Sequence, residues 1–394
     1  MRRPAAATPD VAVIGGGIAG SATAALLADR GLRVRLYERS AIAAGASGRN
    51  SGIVQHPFDA VLAELHQRSL LEYAALTERL GGAFSLPAEP AGLLLVGRDR
   101  DAARAEAARW AERWPATSPA VLEGAELAAL EPSLAPDLVA CRLAIGYQVA
   151  PSAATRAYAT LARRLGVEVV IGQEASAAVV SGRVVGVRVA GEVEPAGQVV
   201  VAAGPWTPAV IDPSGRWRPV RPVWGVVATL DLPDGPRHSL EAIDIGVEPG
   251  DARGDLDVPV LPADSGRSPT ARDEDVAFSL VRGPAATALG STFLETEPEP
   301  AAWLDALRRV GTRYVPSIAG ATIAGHRHCA RPTTDDGRPL LGPAPWADGL
   351  WVIAGHGPWG ISTGPGSARL LVDALLGGPA AIPSALDVGR FGAP

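Results

Sequence analysis

Three glycines near the start of the chain, Gly15, Gly17 and Gly20, have the spacing G-x-G-x-x-G. In such a loop the glycines allow a tight turn, close approach of the main chain to a pyrophosphate, and close packing of a helix on a strand. The amide groups at the start of the following helix would face the phosphates. Glu38 follows at about the 20-residue distance at which a carboxylate accepts hydrogen bonds from ribose hydroxyls. This combination predicts a dinucleotide site.

A second loop of small and polar residues follows the acid, over residues 41–51. The glycines that would let its main chain approach a ligand are Gly45, Gly48 and Gly52. Its side-chain donors are Ser47, Arg49, Asn50 and Ser51. The position behind the acid-bearing strand favours a second phosphate-contacting loop, and a plain flexible loop is the alternative.

Apolar patterning places the glycine loop in a strand–helix–strand unit, and the second loop follows this unit. Residues 11–14 predict a buried parallel strand, 21–28 a helix and 32–37 a second strand. Further strands are predicted over 91–96, 138–147, 167–171, 177–180, 184–189, 199–203, 220–230, 278–281, 288–293 and 350–354. Further helices are predicted over 61–80, 101–114, 122–130, 151–165, 301–314 and 368–376. We expect residues 325–342 to be irregular and 245–274 to form a surface excursion.

Length and composition exclude several classes of protein. A chain of 394 residues exceeds one ordinary core, so two domains are expected. No apolar stretch reaches the roughly 20 residues of a membrane span, and residues 1–3 precede no signal-peptide core, so a cytoplasmic protein is expected. The net charge of −6 gives no pull toward nucleic acid. The two cysteines, Cys141 and Cys329, argue against a disulfide framework. All 36 Lys and Arg positions are arginine, which excludes lysine chemistry.

After the glycine loop and Glu38, further motifs lie at residues 45–52, 199–206, 331–339, 355–360 and 364–365. In this order, the motifs resemble those of the D-amino-acid oxidase-like FAD-dependent oxidoreductases, the group of glycine oxidase, sarcosine oxidase and D-amino-acid dehydrogenase. The resemblance covers almost the whole chain.

The resemblance implies an α/β fold. A Rossmann-like FAD-binding domain of the glutathione-reductase type would be interleaved with an α+β substrate domain built on a mixed or antiparallel sheet. We assign residues 1–55, 151–215 and 326–394 to the FAD-binding domain. Residues 56–150 and 216–325 are assigned to the substrate domain.

The implied cofactor is FAD, expected to be bound non-covalently. A covalent link through Cys329 is the alternative, because Cys329 lies five positions before Thr334, as does the flavin-linked cysteine of sarcosine oxidase-like enzymes. The residues that the glycine motif and the resemblance together place at the cofactor are Gly15, Gly17, Ile18, Ala19, Gly20, Glu38, Arg39, Ser47, Gly48, Arg49, Asn50, Ser51, Val180, Ala203, Gly204, Trp206, Cys329, Arg331, Gly355, His356, Gly357 and Gly360.

The resemblance also implies three catalytic residues. Arg331 begins the motif whose arginine anchors the substrate carboxylate in glycine oxidase-like relatives, a role that suits a planar, permanently charged donor. The alternative is a structural arginine paired with a neighbouring aspartate, Asp335 or Asp336. His356 is expected to face the flavin. His56 is either a second such histidine or an ordinary polar loop residue.

The implied reaction is hydride transfer from a C–H bond beside an amine nitrogen to flavin N5, followed by hydrolysis of the imine. The substrate would be a small amine or amino acid, including secondary or N-methylated ones, and the acceptor O2 or another electron acceptor. Two departures bear on this: Gln55 replaces a carboxylate-binding arginine of sarcosine oxidase-like enzymes, and their oxygen-activating lysine is absent. The alternatives are an FAD-dependent 2-hydroxy-acid dehydrogenase and a flavin-binding subunit of a hetero-oligomeric oxidase. We expect a monomer or homo-oligomer without a metal, nucleic-acid partner or membrane span.

Overall fold

The computed structural model describes residues 7–243, 271–284, 286–378 and 381–394. Most of the expected surface excursion at 245–274 lies outside these ranges, as do residues 1–3, on which the absence of a signal peptide was predicted. Within the described ranges, no helix combines the length and the hydropathy that crossing a membrane requires.

The strands, in chain order, are β1 (Val11–Ile14), β2 (Val34–Glu38), β3 (Ile53–Val54), β4 (Leu93–Gly97), β5 (Ala120–Glu123), β6 (Val139–Leu143), β7 (Tyr147–Gln148), β8 (Glu168–Ile171), β9 (Ala175–Val180), β10 (Arg183–Val189), β11 (Glu192–Pro195), β12 (Gln198–Val201), β13 (Arg221–Asp231), β14 (Ser239–Ala242), β15 (Val276–Arg282), β16 (Thr287–Thr292), β17 (Thr322–Thr333), β18 (Leu340–Pro343) and β19 (Leu350–Ala354). The helices are α1 (Ile18–Asp29), α2 (Ala46–Arg49), α3 (Ala60–Leu80), α4 (Arg100–Arg113), α5 (Gly124–Leu130), α6 (Ala153–Arg164), α7 (Thr207–Ile211), α8 (Leu304–Tyr314) and α9 (Gly360–Leu375).

The first layer is a six-stranded sheet in the order β18-β19-β12-β1-β2-β8. Its central strand, β1, pairs in parallel with β12 and β2. Val11 and Val13 join the core beneath helices α1, α3, α6 and α9, while Ala12 and Ile14 face the core beneath the three-stranded sheet β9-β10-β11. Burial on both faces explains why β1 is an uninterrupted apolar run.

The second layer is an eight-stranded sheet in the order β17-β13-β16-β15-β14-β4-β6-β5. It is antiparallel except where β14 runs parallel to β4. Its core packs under α8 and is rich in Leu, with Trp303 and Phe278 among the fully buried side chains. The two sheets confirm the predicted α/β fold with a mixed, mostly antiparallel second sheet.

The structure differs from the expected elements around the C-terminal motif. The prediction of irregular structure over 325–342 is wrong, because β17 occupies 322–333 and pairs along its length with β13. Apolar and polar residues do not alternate along β17, so the sequence pattern does not indicate a strand. This edge strand is defined by its hydrogen-bonded pairing with β13. The last helix begins at residue 360 rather than 368, in spite of Pro365 within it. Residues 120–123, expected near the start of a helix, form β5.

Two segments pack with the sheet of the domain other than the one to which the sequence assigned them. Residues 326–333, assigned to the FAD-binding domain, belong through β17 to the eight-stranded sheet. Helix α3, assigned to the substrate domain, packs on α9 and contributes Leu62, Leu65 and Tyr73 to the core of the six-stranded sheet. The contact is close, since a Cβ on Gly366 would lie 2.1 Å from the carbonyl oxygen of Leu65.

Asp59 joins the start of α3 to the C-terminal motif. One carboxylate oxygen accepts the amides of Val61 and Leu62, at 2.8 and 3.0 Å, and so caps the helix. The other lies 2.6 Å from Nη2 of Arg338, and the Asp59 side chain is only 9% exposed. One side chain therefore stabilises both a helix terminus and the loop that follows β17.

We predict that Asp59→Ala lowers the free energy of unfolding by about 3 kcal/mol, because it removes the cap and leaves the Arg338 charge without this carboxylate. Thermal and urea denaturation measure the loss. The matched control is Asp348→Ala, whose partner Arg183 is 2.8 Å away but with both side chains more than 70% exposed. That surface pair is worth about 1 kcal/mol or less. Equal losses in the two variants would contradict the structural role of Asp59.

Candidate active site

A cavity of about 1150 Å³ is lined by residues of both sheets. On one side it reaches the carboxyl ends of β1, β2 and β12, where open α/β sheets bind ligands. On the other side it reaches the face of the eight-stranded sheet formed by β13 to β17. Its volume exceeds the roughly 300–1,000 Å³ of ordinary small-molecule pockets, which suits a large cofactor together with a substrate.

The glycine loop forms one end of the cavity from main chain alone. Gly15 has φ +113°, and a Cβ there would lie 2.3 Å from the carbonyl oxygen of Ala202. A Cβ on Gly20 would lie 2.0 Å from the carbonyl oxygen of Gly15, so Gly20 serves helix–strand packing and does not line the cavity. Gly17, Ile18 and the following residue Ala19 do line it, at the start of α1. This cradle fits the pyrophosphate of a dinucleotide.

Glu38 ends β2 and lines the cavity as predicted. Its carboxylate accepts the Gly16 amide at 2.7 Å, and the Ser40 amide at 2.8 Å. These bonds fix the carboxylate next to the glycine turn, in the position expected for a ribose-binding acid.

The second predicted loop also reaches the cavity, but its polar groups are used differently from the expectation. The hydroxyl of Ser47 accepts the Ile18 amide at 3.0 Å and thereby binds the loop to the start of α1. The amide nitrogen of Asn50 donates to the carbonyl oxygens of Ser47 and Pro151, each at 3.1 Å, so this side chain organises the loop. The other loop residues that line the cavity are Ala44, Gly45, Ala46, Arg49 and Ser51. Gly48 does not line it: a Cβ there would clash with the main chain at residue 43.

The far end of the dinucleotide side is built from β9 and the segment after β12. Arg39 lies over the ring of Trp206, 4.0 Å from its centroid, and both line the cavity with Ala203 and Gly204. Val180 does not line it and is 60% exposed. Strand β9 reaches the cavity at its first residue, Ala175, so the predicted adenine contact falls at the wrong end of this strand.

Arg331 projects from β17 across the sheet. Its Nη1 donates to the carbonyl oxygen of Thr292 at 2.8 Å, Nη2 donates to the hydroxyl of Ser291, and the guanidinium lies 4.2 Å from the ring centroid of Phe293. It passes over Gly225, where a Cβ would lie 2.3 Å from Nη2. Burial lowers the pKa of Arg331, but a guanidinium remains charged at neutral pH.

The aspartates that could have neutralised Arg331 have other partners. Asp335 lies 3.5 Å from Arg221, and Asp336 lies 2.8 Å from Arg390. Across the described ranges, no carboxylate forms a salt bridge with Arg331. The cavity therefore contains a cation that donates its hydrogen bonds to neutral groups.

Cys329 and His356 line the cavity beside Arg331, and both are buried. Burial raises the pKa of the Cys329 thiol, which disfavours the thiolate, and Sγ faces the carbonyl oxygen of Arg49 at 4.0 Å. Burial lowers the pKa of His356 to about 4, so its ring is neutral at pH 7, with Nε2 3.1 Å from the hydroxyl of Ser367. Gly357 and Gly360 line the cavity with His356, whereas Gly355 does not.

The structure does not bring His56 to the cavity. Its ring lies in a buried aromatic cluster, with ring centroids 5.1 Å from Trp114, 5.4 Å from His66 and 5.6 Å from Trp110. Gln55 faces the cavity instead, because successive residues of an extended segment point in opposite directions. A catalytic role for His56 through direct contact has no support from this placement.

Several cavity residues lie outside the predicted set. Those on the eight-stranded sheet and beside α9 include Trp224, Glu241, Ser279, Ser291, Phe293 and Trp359. Trp359 lies within the anchor motif 355–360 although it was not itself predicted, and no motif marks the others. The available signal is the alternation of β15, where Ala277, Ser279 and Val281 line the cavity and a serine interrupts an apolar strand face.

The comparisons with known proteins agree with this geometry. The family model described as FAD dependent oxidoreductase (DAO) matches residues 10–374. Glycine oxidase of Pseudomonas aeruginosa is 29% identical over 93% of this chain and 94% of that protein. Glycine oxidase of Pseudomonas putida is 28% identical, but the match covers 50% of this chain and 46% of the relative. D-amino acid dehydrogenase of Cereibacter sphaeroides is 31% identical over 54% of this chain and 43% of that protein.

Solved structures share the fold over nearly the whole chain. Glycine oxidase from Geobacillus kaustophilus superposes with a TM-score of 0.79 at 23% identity, covering 97% of this chain and 99% of the other. L-proline dehydrogenase from P. horikoshii gives a TM-score of 0.79 at 18% identity, covering 98% of each chain. With the family model matching nearly the full length and the cradle and cavity in place, the chain belongs to the DAO family of FAD-dependent oxidoreductases.

Proposed function

We propose that this chain binds FAD non-covalently in the cavity and oxidises the C–N bond of a small amino acid or other carboxylate-bearing amine. The observation that carries the proposal is Arg331, a half-buried cation hydrogen-bonded to neutral groups in the same cavity as the dinucleotide cradle. Bidentate binding to a carboxylate is the interaction for which such a guanidinium is best suited.

In this proposal, different residues of the cavity would bind the cofactor and the substrate. The glycine turn and Glu38 would hold the dinucleotide, while Arg331 would fix the substrate by its carboxylate. Bound FAD supplies a hydride acceptor for the C–H bond beside the amine nitrogen. His356, neutral at pH 7, would keep the cavity wall uncharged beside the reacting atoms. Because Arg331 is half-buried, its charge acts in a lower dielectric than that of bulk water.

We predict that the purified protein is yellow and that acid precipitation releases its flavin into the supernatant. The buried, protonated thiol of Cys329 is the physical reason, since the thiolate is the nucleophile. The flavin spectrum of supernatant and pellet measures the outcome, and Cys329→Ala is the control that should retain the same flavin content. Flavin in the pellet of the parent protein, but not of Cys329→Ala, would establish the covalent link instead.

We predict that Arg331→Met keeps its flavin but loses about 10- to 100-fold in kcat/KM for amino acids, the worth of a charged hydrogen bond. Anaerobic flavin bleaching should be compared for amino acids, their decarboxylated amines and 2-hydroxy acids. The parent should prefer amino acids over the amines, and Arg331→Met should not. Arg221→Met, an exposed arginine beside Asp335, is the control expected to behave like the parent.

Two results would overturn the proposal. If 2-hydroxy acids alone bleach the parent's flavin, the chain is a hydroxy-acid dehydrogenase. If Arg331→Met retains the preference for a carboxylate, another group binds it. Bleaching by substrate in the isolated chain would also exclude the alternative of a flavin-binding subunit whose partner performs the reaction.

A further inference from the structure

The cavity contains a carboxylate whose position the reaction does not require. Glu241 lies on β14 and lines the cavity. Oε2 accepts a hydrogen bond from Nε2 of Gln55 at 3.3 Å. Gln55 is itself 2% exposed, and its main-chain amide donates to the hydroxyl of Ser362 at 2.9 Å at the start of α9. The hydrogen bond from its main chain to α9 therefore holds Gln55 in place as the partner of Glu241.

Glu241 and Arg331 face the cavity from the same sheet. The strand order between them is β17-β13-β16-β15-β14. The guanidinium of Arg331 extends past β13 to hydrogen-bond Ser291 and Thr292 at the end of β16, whereas Glu241 is on β14 opposite Ser279 of β15. Two strand spacings separate β16 from β14, which is about 10 Å. By this strand spacing, the cationic and the anionic group are separated by on the order of 10 Å.

Glu241 is incompletely paired. Within the described ranges no arginine or histidine forms a salt bridge with it, and its hydrogen-bond partner Gln55 is neutral. Burial raises the pKa of Glu241 to about 7. The Oε1 atom of Gln55, next to this hydrogen bond, is buried and has no hydrogen-bond partner among the described residues. Glu241 is half-buried on the cavity wall. A carboxylate withdrawn from water in this way is stabilised more by a cation than by an amide, so a ligand with a positive charge would satisfy this group.

The reacting nitrogen is a poor partner for a permanent ion pair. Its lone pair must be free when the adjacent C–H bond gives up hydride, so the reacting amine has to be uncharged at that step. A nitrogen that stays cationic against Glu241 is therefore a second one. Hydrogen bonds of about 3 Å at each end leave roughly 4 Å of ligand between carboxylate and ammonium, the scale of a short side chain.

We propose that Glu241, positioned by Gln55, binds a side-chain ammonium of the substrate, so that the preferred substrates are amino acids with a short cationic side chain. The inference rests on the proposed function, because it places the substrate carboxylate on Arg331. It assigns Glu241 as the residue that selects the side chain.

The test uses matched ligands and a readout that does not need turnover. The FAD-loaded protein is titrated with 2,3-diaminopropionate, 2,4-diaminobutyrate and ornithine, and with the uncharged alanine, 2-aminobutyrate and norvaline. The rise in melting temperature reports binding, and anaerobic flavin bleaching reports kcat/KM. Each measurement is made on the parent, Glu241→Gln and Gln55→Leu. The control is Glu297→Gln, a cavity-lining carboxylate that is 62% exposed and 3.1 Å from His328.

We expect the parent to favour a cationic ligand over its uncharged match by about 10-fold or more, the worth of a charged hydrogen bond. Glu241→Gln should abolish this preference while neutral ligands bind as before, Gln55→Leu should reduce it, and Glu297→Gln should retain it. If Glu241→Gln does not fold, the proposal is tested by Gln55→Leu: a reduced cationic preference supports it, and an unchanged preference overturns it.

The proposal is overturned if the parent shows no cationic preference, or if Glu241→Gln weakens cationic and neutral ligands equally. Selective binding of cationic ligands without flavin bleaching by any amino acid would support the Glu241 site and overturn the proposed function. If neutral amino acids bleach the flavin and Glu241→Gln leaves the ligand preference unchanged, the proposed function is supported and the Glu241 site is overturned. The two proposals therefore fail separately.

Discussion

The structure depends on a contact between two stretches of main chain with no side chain between them. At the carboxyl end of β1, the Ala202 amide donates to the carbonyl oxygen of Ile14 at 2.8 Å, and Gly15 passes so close that a Cβ would overlap the carbonyl group of Ala202. The turn at Gly15 leads into α1, whose first residues line the cavity. A side chain at Gly15 would push β1 away from the segment that follows β12. The position of the dinucleotide site is thus fixed by sterics before any polar group contributes.

The second half of the site is built by a sheet whose strands come from distant parts of the chain. Cavity-facing groups of β13 to β17 present an arginine, serines and a glutamate, while α9 closes the cavity from the side of the six-stranded sheet. Asp59 and Gln55, close together in sequence, connect the segment before α3 to both parts through Arg338 and Ser362. These contacts join the segment before α3 to the loop that follows β17 and to the start of α9.

The sequence was most informative where function is set by local main-chain geometry. Gly15, Gly17 and Glu38 could be placed because a fixed spacing determines a turn, and the βαβ unit followed from apolar runs. Placement failed where it depends on which face a strand residue points to: Gln55 and His56 are neighbours, yet only Gln55 faces the cavity. It failed also for β9, which lines the cavity at Ala175 and Ser176 and not at Val180. It failed for β17, because the residues of this strand show no apolar alternation and the strand is defined by its pairing with β13. Glu241 carries no local signature, since its environment is made entirely by long-range contacts.

Gly225 has a consequence for how this site can change over evolutionary time. The guanidinium of Arg331 occupies the volume that a side chain at residue 225 would need. Any larger residue there would force the cation to another rotamer and move the anchoring point along the sheet face. Substrate preference can therefore drift through a residue that carries no functional group, while every charged side chain of the cavity stays the same. A single methyl group at residue 225 would therefore be enough to displace the cation, although it adds no polar group to the cavity.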